Sequence, residues 1–166
     1  MFSLPVLAAL AVVAVVTSFI SGIFGMAGGM LLIGFLLIVL PVPVAMVFHG
    51  VIQIAANGWR SWLWRHHINW SVVLQFGLGS GFSLLVFSSL TFVPSKPLVL
   101  MAVGLTPLVA LAVPQRIAPN IEARGQAFAA GVIGGALQLV SGVTGPILDI
   151  FYVRTGMTRQ VNVSTK

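Results

Sequence analysis

Of the 166 residues, 58% are hydrophobic and 6% are charged, whereas a water-soluble domain carries about a quarter charged residues; the composition excludes a soluble globule and leaves a membrane protein. Eight Lys and Arg against two acids give a formal charge of +6, but the arginines fall singly in short stretches from Arg60 to Arg159, which is orientation charge and not a nucleic-acid footprint. Cysteine is absent, so disulfides, thiolate catalysis and cysteine metal sites are excluded.

The first apolar run, Pro5 to Ile20, has no Lys or Arg before it and no small-residue cleavage site after it, so it reads as a mature span and not as a signal peptide. It meets Ser21-Gly22-Ile23-Phe24-Gly25-Met26-Ala27-Gly28-Gly29, four glycines in nine residues, where a continuous helix is not expected. Met30 to Leu40 is apolar again, and Pro41-Val42-Pro43 stops it, because proline removes amide donors and clashes with the preceding turn. Val44 to Trp64 is a helix-length run, and Ser71 to Phe92 and Pro97 to Val113 are ordinary spans joined by a tight turn at Pro94-Ser95-Lys96-Pro97. The longest polar connection, Ala112 to Gln126, follows, and a further span opens at Gln126.

Ser141-Gly142-Val143-Thr144-Gly145 restates Ser21-Gly22-Ile23-Phe24-Gly25 after a comparable apolar lead-in. Such a duplication marks an internal repeat, and paired glycine-interrupted segments point to the binding site of a repeat-built transporter. Residues 1–125 form the first repeat and 126–166 the start of a second, in which Gln160 to Lys166 begins the counterpart of the Val44 helix. If all five apolar segments of the first repeat cross, the repeats are inverted. Arg65, Arg116, Arg124, Arg154 and Arg159 then share the cytoplasmic side and Lys96 lies outside with the N-terminus, as the positive-inside bias requires. A single kinked pass from Met30 to Trp64 fits the charges less well. Met30 to Leu40 covers only about half of a bilayer core, so a re-entrant segment there would change the count.

Broken backbone is tolerated in hydrocarbon only where it lines a cavity or is buried in protein. Two SGxxG breaks therefore imply a polar cavity, and a helix restarting after Gly29 or Gly145 aims amide donors and a positive dipole end at it, which suits an anion. The alternative, close helix packing, is the reading for Ala127, Gly131 and Gly135 and for Gly77 and Gly81. His49, Gln53 and Asn57, four apart, form one polar stripe on the Val44 helix with Arg60 below. The stripe either faces a pathway or makes interhelical hydrogen bonds of about 0.6 kcal/mol each; Arg60 either ends the stripe as an anion ligand or anchors the helix at the interface. Trp59, Trp62, Trp64 and Trp70 crowd this end as an aromatic belt. Asp149, in an apolar run, is a candidate proton or charge carrier, with pairing to Arg154 or another arginine as the alternative.

An intramembrane hydrolase would use Ser80, Ser141 or Ser21 with His49 as base, but no fitting partner accompanies the Gly77-Leu78-Gly79-Ser80-Gly81 segment. His66 and His67 are adjacent and point about 100° apart on a helix, a poor metal pair. No catalytic residue, metal ligand or cofactor motif is assigned.

With the duplicated SGxxG, its Gly28-Gly29 extension, the Pro41-Val42-Pro43-Val44-Ala45 break and the second Ser141-to-Pro146 segment, the chain resembles the sulfite exporter family, TauE/SafE, over roughly Thr17 to Trp70 and Gln126 to Lys166. The resemblance implies a multi-pass inner-membrane transporter of small anions such as sulfite, sulfoacetate or organosulfonates. Family members have a second half as long as the first, so a split or non-transporting membrane subunit is the alternative. The fold expected is an all-α, polytopic transmembrane helical bundle with inverted repeats and Gly-broken helices. The substrate site expected is Ser21, Gly22, Gly25, Gly28, Gly29, His49, Gln53, Asn57, Ser141, Gly142, Thr144 and Gly145, with Asp149 and Arg60 as charge partners. Expected partners are the lipid bilayer, a small anionic substrate, and either further copies of the chain or a companion completing the second repeat.

Overall fold

The structure, a computed structural model, describes residues 4–24, 27–90 and 93–166. Among these the chain is helical throughout: α1 (Leu4–Phe24), α2 (Ala27–Val39), α3 (Val42–Leu63), α4 (Trp70–Ser89), α5 (Lys96–Ala112), α6 (Gln126–Ser141), α7 (Gly145–Tyr152) and α8 (Arg159–Thr165). By length and composition, α3 and α4 are long and apolar enough to cross a bilayer. The large apolar side chains of the outer surface, such as Val47, Val51 and Ile54 on α3 and Leu74, Leu78 and Leu85 on α4, are exposed, as a lipid-facing surface requires.

Besides the seven-residue α8, two of the eight are half-helices. With 13 residues, α2 extends about 20 Å, and α7 with eight about 12 Å, both short of a roughly 30 Å core. The segment Met30 to Leu40 is thus not a full pass. It folds back along α1, so closely that a side chain on Gly28 would collide with the Thr17 carbonyl oxygen and with Ser21. At its other end Pro41 and the proline at the start of α3 reverse the chain, and α3 then runs back along α2, bringing Gln53 beside Gly29. α1 and α2 therefore form a hairpin that enters from one end of the molecule. α6 and α7 form a second hairpin: α6 runs parallel to α4, with Gly131 against Phe76 and Gly135 against Ser80 and Ser83, and α7 returns beside α5. Between the hairpins lie three long helices, α3, α4 and α5. Three is odd, so the second hairpin enters from the opposite end, and the two hairpins are opposed although the five-pass premise does not hold.

Each end has its own core. Leu32, Ile33, Leu36 and Leu37 of α2 pack with Leu10, Ala45 and Val99 at the Lys96 end; Leu148, Phe151 and Tyr152 of α7 pack with Val72, Ile121, Ala127 and Ala130 at the other. The second end is stitched by polar contacts. Ile121 N donates to Phe151 O at 2.9 Å, Arg154 donates to the Arg116 and Ala118 carbonyls at 3.2 and 3.1 Å, and Gly156 N donates to Glu122 at 2.8 Å. Asn69 N donates to Thr165 Oγ1 at 3.0 Å. Arg65, Arg116, Arg124, Arg154 and Arg159 accordingly share this end, along with Trp59, Trp62, Trp64 and Trp70, all exposed.

The tightest helix pair is α4 with α6. Ser80 Oγ donates to Gly131 O at 3.2 Å and Ser83 Oγ to Val132 O at 2.6 Å. A side chain on Gly79 would overlap the Phe128 carbonyl oxygen, and one on Gly131 the Phe76 carbonyl oxygen. Ala127, Gly131 and Gly135 do pack as expected from their spacing, but Gly77 and Gly81 do not: nothing stands within 4 Å of a side chain at either. The packing face of α4 is Gly79, Ser80 and Ser83. Gly131→Leu should lower stability against detergent unfolding by about 2 to 3 kcal/mol through overpacking. Gly77→Ala should be neutral or stabilising by up to about 1 kcal/mol, from helix propensity. Equal losses at both positions would place the seam elsewhere.

Candidate functional site

The two half-helices begin at the same place. Gly29, in the first turn of α2, and Gly145, the first residue of α7, both line an inner cavity of about 230 Å³ between the two cores. From it α2 runs toward the Lys96 end and α7 toward the arginine end. Each helix start presents amide groups without an intrahelical acceptor and the positive end of its dipole.

α3 supplies the side wall. His49, Gln53 and Asn57 all line the cavity, because a four-residue spacing keeps them on one helix face. His49 is 2% exposed, and its Nδ1 has no hydrogen-bond partner among the described residues. The ring is wedged between the half-helices: a methyl group on Gly29 would stand 3.7 Å from its Cε1, and one on Gly142 3.8 Å from its Cδ2. A side chain on Gly29 would overlap the Gln53 amide, so glycine there lets α2 and α3 close on the cavity.

The second break is built by its own residues. Gly142 caps α6 in the left-handed region, φ 72°, with its N–H donating to Gln138 O at 2.9 Å; an L side chain is strained at that φ. Ser141 is 0% exposed, and its hydroxyl donates to Leu137 O at 2.8 Å and accepts from Val143 N at 3.2 Å. It therefore satisfies the broken backbone and does not line the cavity, whereas Gly142 and Thr144 do.

The first break is placed differently from expectation. α1 continues through Ser21 and Gly22 to Phe24, and α2 restarts at Ala27, before Gly28 and Gly29; Gly25 lies outside the described residues. Ser21 is buried and lines the inner cavity. Gly28 packs on α1, and Gly22 lines a separate, wider cavity. Arg60 borders both cavities. Asp149 lines the inner one, but its partner is Lys166, at 2.5 Å, and no arginine; Arg154 is held by loop carbonyls instead. The Lys166 ammonium also lies 4.8 Å over the Tyr152 ring.

Two polar cavity residues, Gln138 and Lys166, lay outside the site expected from the sequence. Gln138 carried a signal, an amide in an otherwise apolar helix four residues before a helix-breaking glycine. The serine of the Gly77–Gly81 segment, Ser80, binds the Gly131 carbonyl on the α4–α6 seam. Among the described residues no three His, Asp or Glu side chains gather as a metal site.

The cavity thus brings together two helix starts, the Gln53 and Asn57 amides, a buried imidazole, the Arg60 guanidinium and a carboxylate paired with a lysine, and helix starts and such donors are groups to which an oxyanion can bind. Neither a curated protein nor a solved structure matches the chain. The family described as Sulfite exporter TauE/SafE matches residues 10–165, from the first hairpin through α8, and with nearly the whole chain covered the protein belongs to the TauE/SafE sulfite exporter family of membrane transporters.

Proposed function

We propose that the chain moves a small sulfite- or sulfonate-type oxyanion across the cell inner membrane as a multi-pass protein, and that the inner cavity is where the anion binds. The observation that carries this reading is the meeting of two oppositely directed half-helices, both by their N-termini, at one polar cavity. Helix N-termini favour negative charge, and two pointing from opposite ends serve an anion arriving from either side. In this reading the first-turn amides of α2 and α7 hold the anion, Gln53, Asn57 and Thr144 complete its hydrogen bonds, and His49 sets the spacing between the half-helices. Lys166 keeps the Asp149 carboxylate from repelling the anion.

The arginine-bearing end faces the cytoplasm in this reading, following the positive-inside bias. The absence of native cysteine makes the orientation directly measurable. Ser95→Cys and Ala123→Cys place single thiols at exposed positions at opposite ends. In intact cells a membrane-impermeant thiol reagent should label position 95 and leave position 123 unlabelled until the cells are lysed. The reverse pattern would invert the orientation, and labelling of both would remove the opposed hairpins.

The site is tested on the stripe. Gln53→Leu and Asn57→Leu each remove a polar group from the cavity without charge change, and each should weaken sulfite binding to the purified protein about tenfold, the equivalent of roughly 1.4 kcal/mol. Affinity unchanged in the double variant would make the stripe a packing feature and move the site elsewhere.

A further inference from the structure

Beside the inner cavity lies a wider one, of about 780 Å³, bounded by the C-terminal parts of α1 and α3 and the start of α8. Arg60 and Arg159 stand on its wall, Ser18 and Gln160 add neutral polar groups, and Trp59 and Trp64 flank them. No acidic side chain lines it among the described residues. Among the described residues the Asp149 carboxylate pairs with Lys166 and that of Glu122 accepts from Gly156 N, so neither guanidinium has a carboxylate partner there. Two other arginines at this end are engaged: Arg154 by two loop carbonyls and Arg65 by the Trp62 carbonyl and ring. Arg60, Ser21 and Val163 belong to the walls of both cavities, so the wide cavity adjoins the narrow one at a cationic side chain.

Uncompensated positive charge in a cleft with low-dielectric walls concentrates anions. Guanidinium is the side chain whose planar fork matches an oxyanion's paired oxygens. The wide cavity holds more than three times the volume of the narrow one, enough for an anion that keeps part of its water shell. We propose that the outer cavity is a separate capture site, in which Arg60 and Arg159 hold a small, partly hydrated oxyanion before it passes Arg60 into the inner cavity. The proposal rests on the inner cavity being the transport site, and it adds a second anion per chain and a role for Arg159.

The test is equilibrium binding of radiolabelled sulfite to the purified full chain at low ionic strength. Wild type should bind two anions. Arg159→Gln should bind one, and Arg159→Lys, which keeps the charge, should restore the second. Asn57→Leu should weaken the inner site and leave the outer one. The outer site should also be lost near 1 M inert salt, where the screening length falls to about 3 Å. A single wild-type site, sensitive to Asn57→Leu and indifferent to Arg159→Gln, would overturn the capture site and leave the transport-site reading standing. No saturable sulfite binding in any form would overturn both. Co-purified phospholipid, measured as bound phosphorus, present in wild type and lost in Arg159→Gln alongside a sulfite stoichiometry of one, would identify a lipid headgroup as the occupant and overturn the capture site as well.

Discussion

Hydrocarbon offers no hydrogen bonds, so every backbone amide and carbonyl at membrane depth must find its partner inside the protein, at a cost of several kcal/mol for each that does not. Two helix breaks in one short chain put that constraint at the centre of the molecule. At the second break the protein meets it locally: Gly142 in the left-handed region returns its amide to Gln138 O, and the Ser141 hydroxyl takes the Val143 amide while donating to Leu137 O. The Gln138 carbonyl and the Val143 amide thereby find partners within the break. What stays open is the amide side, the starts of α2 and α7, and both open into the same cavity.

The arrangement of mass follows from this. Each half-helix is too short to span, so each is anchored by one core at its own end, α2 among Leu10, Ala45 and Val99 and α7 among Val72, Ile121 and Ala130. The cavity lies between the cores because the half-helices stop there. α4 and α6 hold the second hairpin in place through backbone-to-backbone contact at Gly79 and Gly131, helped by the Ser80 and Ser83 hydroxyls. In lipid, where apolar association has no water to drive it, close packing of small residues and such hydrogen bonds carry helix association.

Much of this was legible in the residues alone. The helical membrane fold follows from composition and run length, and the two helix breaks from the duplicated SGxxG, although the reading of five crossing segments missed the hairpins; the four-residue spacing put His49, Gln53 and Asn57 on one face, the face that lines the cavity. What was not legible depends on a partner helix. Glycine content marks 22 to 29 as breakable, but where α1 ends depends on α2 docking over Thr17 and Ser21, which carries the helix on to Phe24. Gly77, Gly79 and Gly81 are equivalent in a list of glycines; only the position of α6 makes Gly79 the contact. Asp149 could have met any of several cations, and the fold of the arginine end turned Arg154 toward the 116–118 carbonyls and left Lys166 to it. Ser141 and Ser21 looked equivalent by repeat, yet one closes a backbone break and the other lines the cavity.

The central claim is that one anion is held by the starts of both half-helices at once. Amide hydrogen exchange of the purified protein, resolved to residues and titrated with sulfite, tests it most directly. The amides of Gly28 and Gly29 on α2 and of Gly145 and Ile147 on α7 should gain protection together, with the same half-saturating sulfite concentration, while amides elsewhere in α4 and α5 stay unchanged. Protection at only one of the two helix starts, or at neither while sulfite is demonstrably bound, would contradict the account.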